Sequence, residues 1–381
     1  MRSCMVFIFL IIFNMGFSQD IRASFVLNAP GLPDSSTIFI TGSAPQLGNW
    51  NPSRIKMEYV GNQVWKKEIV FLQPISVQYK YTLGSWDREG ANAKGLPLVN
   101  FSATLFDGVS VIDTVRYWMS DGPKKYSGQV TGTVRYHKAL KGEGIKERDI
   151  IVWLPPGYDS SSKRRYPVIY LQDGQNIFDP STSAFGTDWQ VDETTDSMIR
   201  AGVVVPMIIV GVYNTQERNV EYIPSDRGRL YREFLVKKLK PFIDSAYRTK
   251  PGRLHNFTGG SSAGGILAFM MVWEHPDVFS KAICMSPAFR LPGNPASGWN
   301  YVSIVKTDTK RKKVFFYIDN GGPGLEQQLQ PGVDEMLKAL SDKGYKQGRD
   351  FIYVSDPTAL HNEHAWAKRF PYALKTVAGS R

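Results

Sequence analysis

The stretch TGGSSAGGILA, residues 258–268, sets two serines among four glycines, after an apolar approach and before a helix-like run. Glycine and serine suit any turn between a strand and a helix. Here, however, Gly260-Ser261-Ser262-Ala263-Gly264 has the form G-x-S-x-G, which puts the middle serine on a tight strand-to-helix corner. Small neighbours are needed there because larger side chains would collide with the adjoining strand and helix. An isolated match to this pattern is weak, so the flanks decide its meaning.

Downstream and upstream of this corner, from Asp149 onward, short apolar runs rich in Val, Ile and Phe alternate with helical patterns. DIIVWLP, YPVIYLQDG, PMIIVGVYN, HNFTGG, KAICMSP, KVFFYIDNG and DFIYVSD read as buried parallel strands. Between them, LYREFLVKKLKPFIDSAYR carries apolar residues at helical spacing. The alternation predicts a doubly wound α/β sheet over residues 129–381, and the G-x-S-x-G corner within it points to the α/β-hydrolase class.

Residues 19–118 have a different rhythm. STIFITG, QVWKKEIVFL, SVQYKYTLG and VSVIDTVRY are short alternating runs broken by Gly, Pro and Asn, which predicts an all-β sandwich. The polar segment 119–128, MSDGPKKYSG, reads as a linker. Residues 1–18, with an early arginine, an apolar run and a small residue before Gln19, read as a signal peptide of a secreted or periplasmic protein. That run is short for a bilayer, and no other segment reads as a span, so stable membrane insertion is not expected. Loss of the leader removes Cys4 and leaves Cys284 alone, without an intramolecular disulfide.

The 381 residues carry a formal net charge of +11, which could favour acidic polymers. The basic residues are scattered apart from short runs beside polar turns, such as Lys163 to Arg165 and Lys310 to Lys313, so nucleic-acid binding is not expected. No Cys/His cluster has metal-ligand spacing, and no metal or cofactor is expected.

In α/β-hydrolases the nucleophile is followed in the chain by an acid and then a histidine. After Ser262 come His275, His361 and His364. His275 precedes a proline at a helix end, whereas His361 follows the strand FIYVSD and is preferred to His364, three residues on. The acid candidates are Asp319, at the end of the strand KVFFYIDNG, and Glu326, in the loop GGPGLEQQ. A carboxylate past the strand end reaches a histidine more easily, which favours Glu326.

Two resemblances add to this reading. STIFITGSAPQLGNWNP, QVWKKEIVF and VQYKYTLGSWDREG resemble the starch-binding modules of carbohydrate-binding family 20 and their glycogen-binding relatives. That resemblance implies a sugar platform at Trp50, Lys80 and Trp86; the alternative is that Trp50, Trp65 and Trp86 are sandwich core. YPVIYLQDGQNIFD, VGVYNTQERNVEYIP, GGSSAGG, MSPAF and HNEHAW look like the esterase D family of feruloyl, acetylxylan and enterochelin esterases. This implies Ser262 as nucleophile and an oxyanion hole from the backbone N–H groups of Ala263 and Gln175, with Asp173, Ser261 and Arg218 in structural roles. The expected substrate is a polysaccharide or related glycan ester. The alternatives are a sugar-binding surface protein with an inactive hydrolase domain, and a peptidase or siderophore-type esterase on the same triad.

Overall fold

A computed structural model describes residues 20–380, apart from 93–94, 96, 99, 120–128, 161, 184–185 and 292–298. The expected leader at 1–18 and nearly all of the expected linker at 119–128 lie outside the described residues. The chain divides into two compact units, residues 1–119 and 120–381.

In the first unit, two four-stranded sheets face one another. One runs Glu58–Gly61, Val64–Phe71, Ile21–Asn28 and Ser110–Thr114; the other runs Ile55–Lys56, Phe39–Gly42, Ile75–Thr82 and Phe101–Leu105. Along Ile21–Asn28 the residues Ile21, Ala23, Phe25 and Leu27 are buried and those between them are more exposed, the period of two that a half-covered strand requires. The hydroxyls of Tyr79 and Tyr81 both donate to Asp113 Oδ2 at 2.7 Å, which ties the second sheet to the last strand of the first. Trp65 lies in this core.

The strands of the main sheet of the second unit, numbered from its own first strand, are β1 (Thr133–Leu140), β2 (Arg148–Leu154), β3 (Val168–Gln172), β4 (Ile208–Val212), β5 (Asn256–Ser261), β6 (Lys281–Met285), β7 (Phe315–Asn320) and β8 (Phe351–Ser355). They form one sheet in the order β1-β2-β4-β3-β5-β6-β7-β8. From β4 to β8 every neighbouring pair is parallel, but β2 runs antiparallel to both β1 and β4. DIIVWLP is therefore an antiparallel strand, not a parallel one. The expected strand set also lacked β1, whose residues are mostly exposed or half-buried and so have no apolar signature.

Burial on both faces explains the apolar runs. Ile150, Val152 and Leu154 enter one core layer with Ile266 to Trp273, while Ile151 and Trp153 enter the other with Trp366 and Phe370. The helices that matter for the site are α1 (Ala263–Glu274), α2 (Leu325–Asp342) and α3 (Glu363–Ala378). A sheet of this order covered on both faces is the α/β-hydrolase fold. The stretch 230–248 is helical as its spacing predicts up to Ala246, with a π-helical turn at Leu235–Leu239 between Asp226–Phe234 and Lys240–Ala246.

One buried ion pair fastens β2 to the segment after β4. Arg148 reaches Glu221 through two bonds of 2.7 and 3.1 Å with both side chains fully buried, and its guanidinium lies 4.4 Å from the Tyr231 ring centre. Removing one partner strands the other charge in the core. Glu221→Ala should therefore cost about 3–5 kcal/mol of stability, read as a lower denaturant midpoint at unchanged slope.

Candidate active site

Ser262 stands between β5 and α1 with φ 56° and ψ −121°, a conformation that few residues other than glycine adopt. The corner is held from β6 and its following turn: Ser262 N–H donates to Met285 O at 2.9 Å, and Ala288 N–H donates to Ser262 O at 3.1 Å. A Cβ on Gly260 would come within 2.5 Å of the Gly264 backbone, so the two flanking glycines permit the close approach of strand and helix. Ser262 is half-buried, with its neighbours Ser261 and Ala263 buried.

Across the sheet the loops after β7 and β8 meet. Gly322 N–H donates to Ala359 O at 3.1 Å, Asp356 N–H donates to Asn320 O at 2.9 Å, and a Cβ on Gly322 would fall 2.0 Å from Pro357 O. This contact brings Glu326 and His361 together: His361 Nδ1 lies 3.2 Å from Glu326 Oε1. Glu326 is not a loop residue, as expected, but stands in the first turn of α2 and is fully buried. His364, on the next helix, is exposed.

Burial alone would raise the Glu326 pKa. Three donors outweigh it: His361, the Ser286 hydroxyl at 2.6 Å and the Gly321 N–H at 2.9 Å hold the carboxyl below its ordinary range and keep it charged. Asp319 has other partners. It lies within β7, accepts from Ser286 N–H and Tyr317 Oη at 3.0 Å each, and pairs with Arg369 at 3.1 Å. Its burial pushes the carboxyl up to about 6 despite Arg369.

The side chains of Ser286, Trp366 and Arg369 lie behind Glu326. No role was read for them in the sequence, although MSPAF and HNEHAW were singled out as motifs. A signal was present: Arg369 stands three residues after Trp366 on the apolar stripe of α3, where a solvated arginine would not be placed.

The loop after β3 carries Asp173, also at positive φ, followed by a turn at Gly174–Asn176. Arg218 grips Asp173 through two bonds of 2.7 and 2.8 Å, and Asn214 Nδ2 adds a third at 2.6 Å. Gln175 Oε1 accepts from Asn214 N–H at 3.2 Å, which fixes the turn from which its own amide points. Ala263 is the first residue of α1, so its N–H has no intrahelical acceptor.

Among the described residues one group has metal-like proximity: Asp188, Asp192 and Glu193 bring carboxylate oxygens within 4.8 Å of one another. Asp192 is pushed up to about 8, by burial and then by the adjacent Glu193 carboxyl, and its Oδ2 accepts from Thr131 N–H at 2.6 Å. Asp192 and Glu193 stand in the first turn of the helix Val191–Arg200, and Asp188 precedes it.

In the first unit Trp50 and Trp86 are half-buried and not part of the sandwich core, unlike Trp65. Their ring centres are 6.4 Å apart at 40°. Lys80 departs from the expectation of an ammonium offered to a ligand. It is 8% exposed and forms an ion pair with the buried Glu89.

Residues 23–94 match the starch binding domain family, and 65 residues are 37% identical to a 4-alpha-glucanotransferase of Oryza sativa subsp. japonica, covering 16% of this chain and 7% of that protein. An endo-1,4-beta-xylanase/feruloyl esterase of Xylanibacter ruminicola is 26% identical over 199 residues, 51% of this chain and 25% of the relative, so the chain spans a quarter of that protein. The ferri-bacillibactin esterase of Bacillus subtilis is 27% identical over 218 residues, 48% of this chain and 70% of that one. Among solved structures, a ferulic acid esterase (20% identity, TM-score 0.54, 65% of this chain and 98% of its own) shares the fold. So does the enterobactin esterase of Shigella flexneri (12% identity, TM-score 0.54, 93% and 92%). Residues 145–377, more than half of the chain, match the putative esterase family, and the chain belongs to it.

Proposed function

We propose that the chain is a serine carboxylic-ester hydrolase that removes acyl groups, feruloyl or acetyl, from polysaccharide or related glycan esters. The observation that carries this reading is the charged, buried Glu326, in the first turn of α2, hydrogen-bonded to His361, both following Ser262 in the order acid then histidine. Glu326 fixes the tautomer of His361 with hydrogen on Nδ1, which leaves the far ring nitrogen free as a base. His361 takes the proton of Ser262 as the serine oxygen attacks the ester carbonyl, and returns it to the departing alcohol. Water activated by the same imidazole then releases the acid. The Ala263 and Gln175 amides bind the developing oxyanion, each contributing on the order of 10²–10³ in rate.

The family assignment and the feruloyl-esterase relative support the reaction, and the starch-binding match supports a glycan. Trp50 and Trp86 offer two aromatic faces to the C–H face of sugar rings, with Lys80 bracing the platform through Glu89. The apolar residues 1–18 support action outside the cytoplasm. The Bacillus subtilis relative favours a second reading, a siderophore-type ester on the same triad. Purified protein assayed on acetylated xylan, feruloylated arabinoxylan, a catecholate trilactone and an aryl acetate separates the two, and no turnover of any of them leaves the sugar-binding protein with an inactive hydrolase domain.

Ser262→Ala should abolish hydrolysis while leaving the melting temperature unchanged within about a degree or two, since the alanine loses only a hydroxyl. Residual activity above a few per cent in a clean preparation moves the nucleophile elsewhere. Glu326→Gln should lower kcat by about 10²-fold or more, whereas Asp319→Asn should chiefly lower stability, because it leaves Arg369 short of a charge partner. The opposite pattern, in matched rates and melts, reassigns the acid.

If the tryptophan pair binds glycan, Trp50→Ala loses about 1 kcal/mol of affinity and lowers activity on an insoluble polymer, with rates on a soluble aryl ester unchanged. Equal losses on both substrates with a lower melting temperature would make Trp50 a structural residue.

A further inference from the structure

We propose that Ser286 is a positioning residue of this esterase, a hydroxyl whose single proton is directed onto Glu326 by two donors that occupy its lone pairs. The proposal rests on the assignment of Glu326 as triad acid. Ser286 follows β6 at φ 42°, in the left-handed region, and is fully buried. Its Oγ lies 3.0 Å from Trp366 Nε1, 3.0 Å from Arg369 Nη2 and 2.6 Å from Glu326 Oε1. The indole N–H and the guanidinium can only donate, so both of these bonds end on the serine oxygen. A hydroxyl accepting twice has one proton left, and the remaining neighbour is a carboxylate that can only accept. The direction of the Ser286–Glu326 bond is therefore set by the chemistry of its partners.

Glu326 Oε1 receives that proton together with His361 Nδ1, and Oε2 receives the Gly321 N–H. Held on both oxygens, the carboxylate cannot rotate without breaking a bond to a buried donor. The parts of the device are themselves anchored. Arg369 pairs with Asp319, and Asp319 Oδ1 also accepts from Ser286 N–H, so the serine is held by backbone and side chain to one pair of charges. Trp366 also packs edge-on against the His361 ring, with centres 5.0 Å apart. Asp319, the rejected candidate for triad acid, thus acts two bonds away from the acid, by orienting the residue that orients it.

The test is a double-mutant cycle in the full chain: wild type, Glu326→Gln, Ser286→Ala and the pair, with kcat and kcat/KM for an aryl acetate measured across pH. Ser286→Ala should lower kcat about tenfold or more, the rate equivalent of one hydrogen bond to a charged group. It should also move the acid limb of the kcat/KM profile to higher pH, because a carboxylate that loses a donor is more easily protonated. In the Glu326→Gln background the same change should cost little more. A role in the fold alone would leave the pH profile in place and give additive losses, and either result overturns the proposal. A Glu326→Gln enzyme at full rate sinks the triad assignment and the proposal with it. Full rate in Ser286→Ala beside an impaired Glu326→Gln sinks only the proposal. Should Ser286→Ala fail to fold, Trp366→Phe decides, since it frees one lone pair and no longer compels the proton toward Glu326. A loss non-additive with Glu326→Gln supports the device, and an unchanged rate or an additive loss overturns it.

Discussion

A carboxylate that is fully buried and still charged is the constraint on which the esterase unit depends. Removing Glu326 from water favours its neutral form, and a neutral carboxyl would hold the His361 ring less strongly than a carboxylate does. Charge is kept only by surrounding the group with donors. Those donors come from three places in the chain: the turn after β6, the glycine turn after β7, and the loop after β8. The parallel strands matter because they deliver these turns to one edge of the sheet. The glycines at 321 and 322 matter because a Cβ on either would strike the loop that carries the histidine.

The corner at Ser262 was legible because its requirement is local. A backbone at positive φ, squeezed between a strand and a helix, needs small neighbours within a few residues, and glycine spacing records that directly. That Glu326, and not Asp319, meets His361 was legible from its reach past the strand end, although the sequence concealed that Glu326 begins a helix. What was not legible is whatever depends on partners distant in sequence. Ser286 meets a glutamate 40 residues on and an arginine 83 residues on, and no spacing rule relates them. The edge strand β1 escaped because none of its residues is fully buried, and a mostly solvated strand does not read as apolar.

In the sandwich the same limit shows in Lys80. Its alternation with Tyr79 and Tyr81 places it on a strand, but a lysine is ordinarily taken to be solvated. Here the ammonium is buried because Glu89, nine residues later, is buried with it. Removing either would leave an uncompensated charge, so the pair constrains the loop between them, and that loop carries Trp86. Trp50 reaches the same neighbourhood from a turn with three successive residues at positive φ, Gly48, Asn49 and Trp50. The two rings are thus set by backbone strain on one side and by a buried ion pair on the other.

The pair Arg369–Asp319 has a different energetic character from the bonds it supports. Asp319 is pushed up to about 6, which means that its folded-state pKa lies above the unfolded value near 3.9. A carboxyl raised in this way favours the folded state below the unfolded pKa and loses that advantage as pH rises through about 6. Near neutral pH the charged Asp319 is therefore a net cost to folding, and its attraction to Arg369 does not recover the loss of water. Such a pair is kept for what it orients. Arg369 spans the two carboxylates, 3.1 Å from Asp319 and 3.7 Å from Glu326, so one cation faces two anions and cannot neutralise both. The balance is struck unequally: the donors gather on Glu326, whose carboxyl is held low, while burial raises that of Asp319. Stability is spent at the residue that holds the frame so that charge is secured at the residue that faces the histidine.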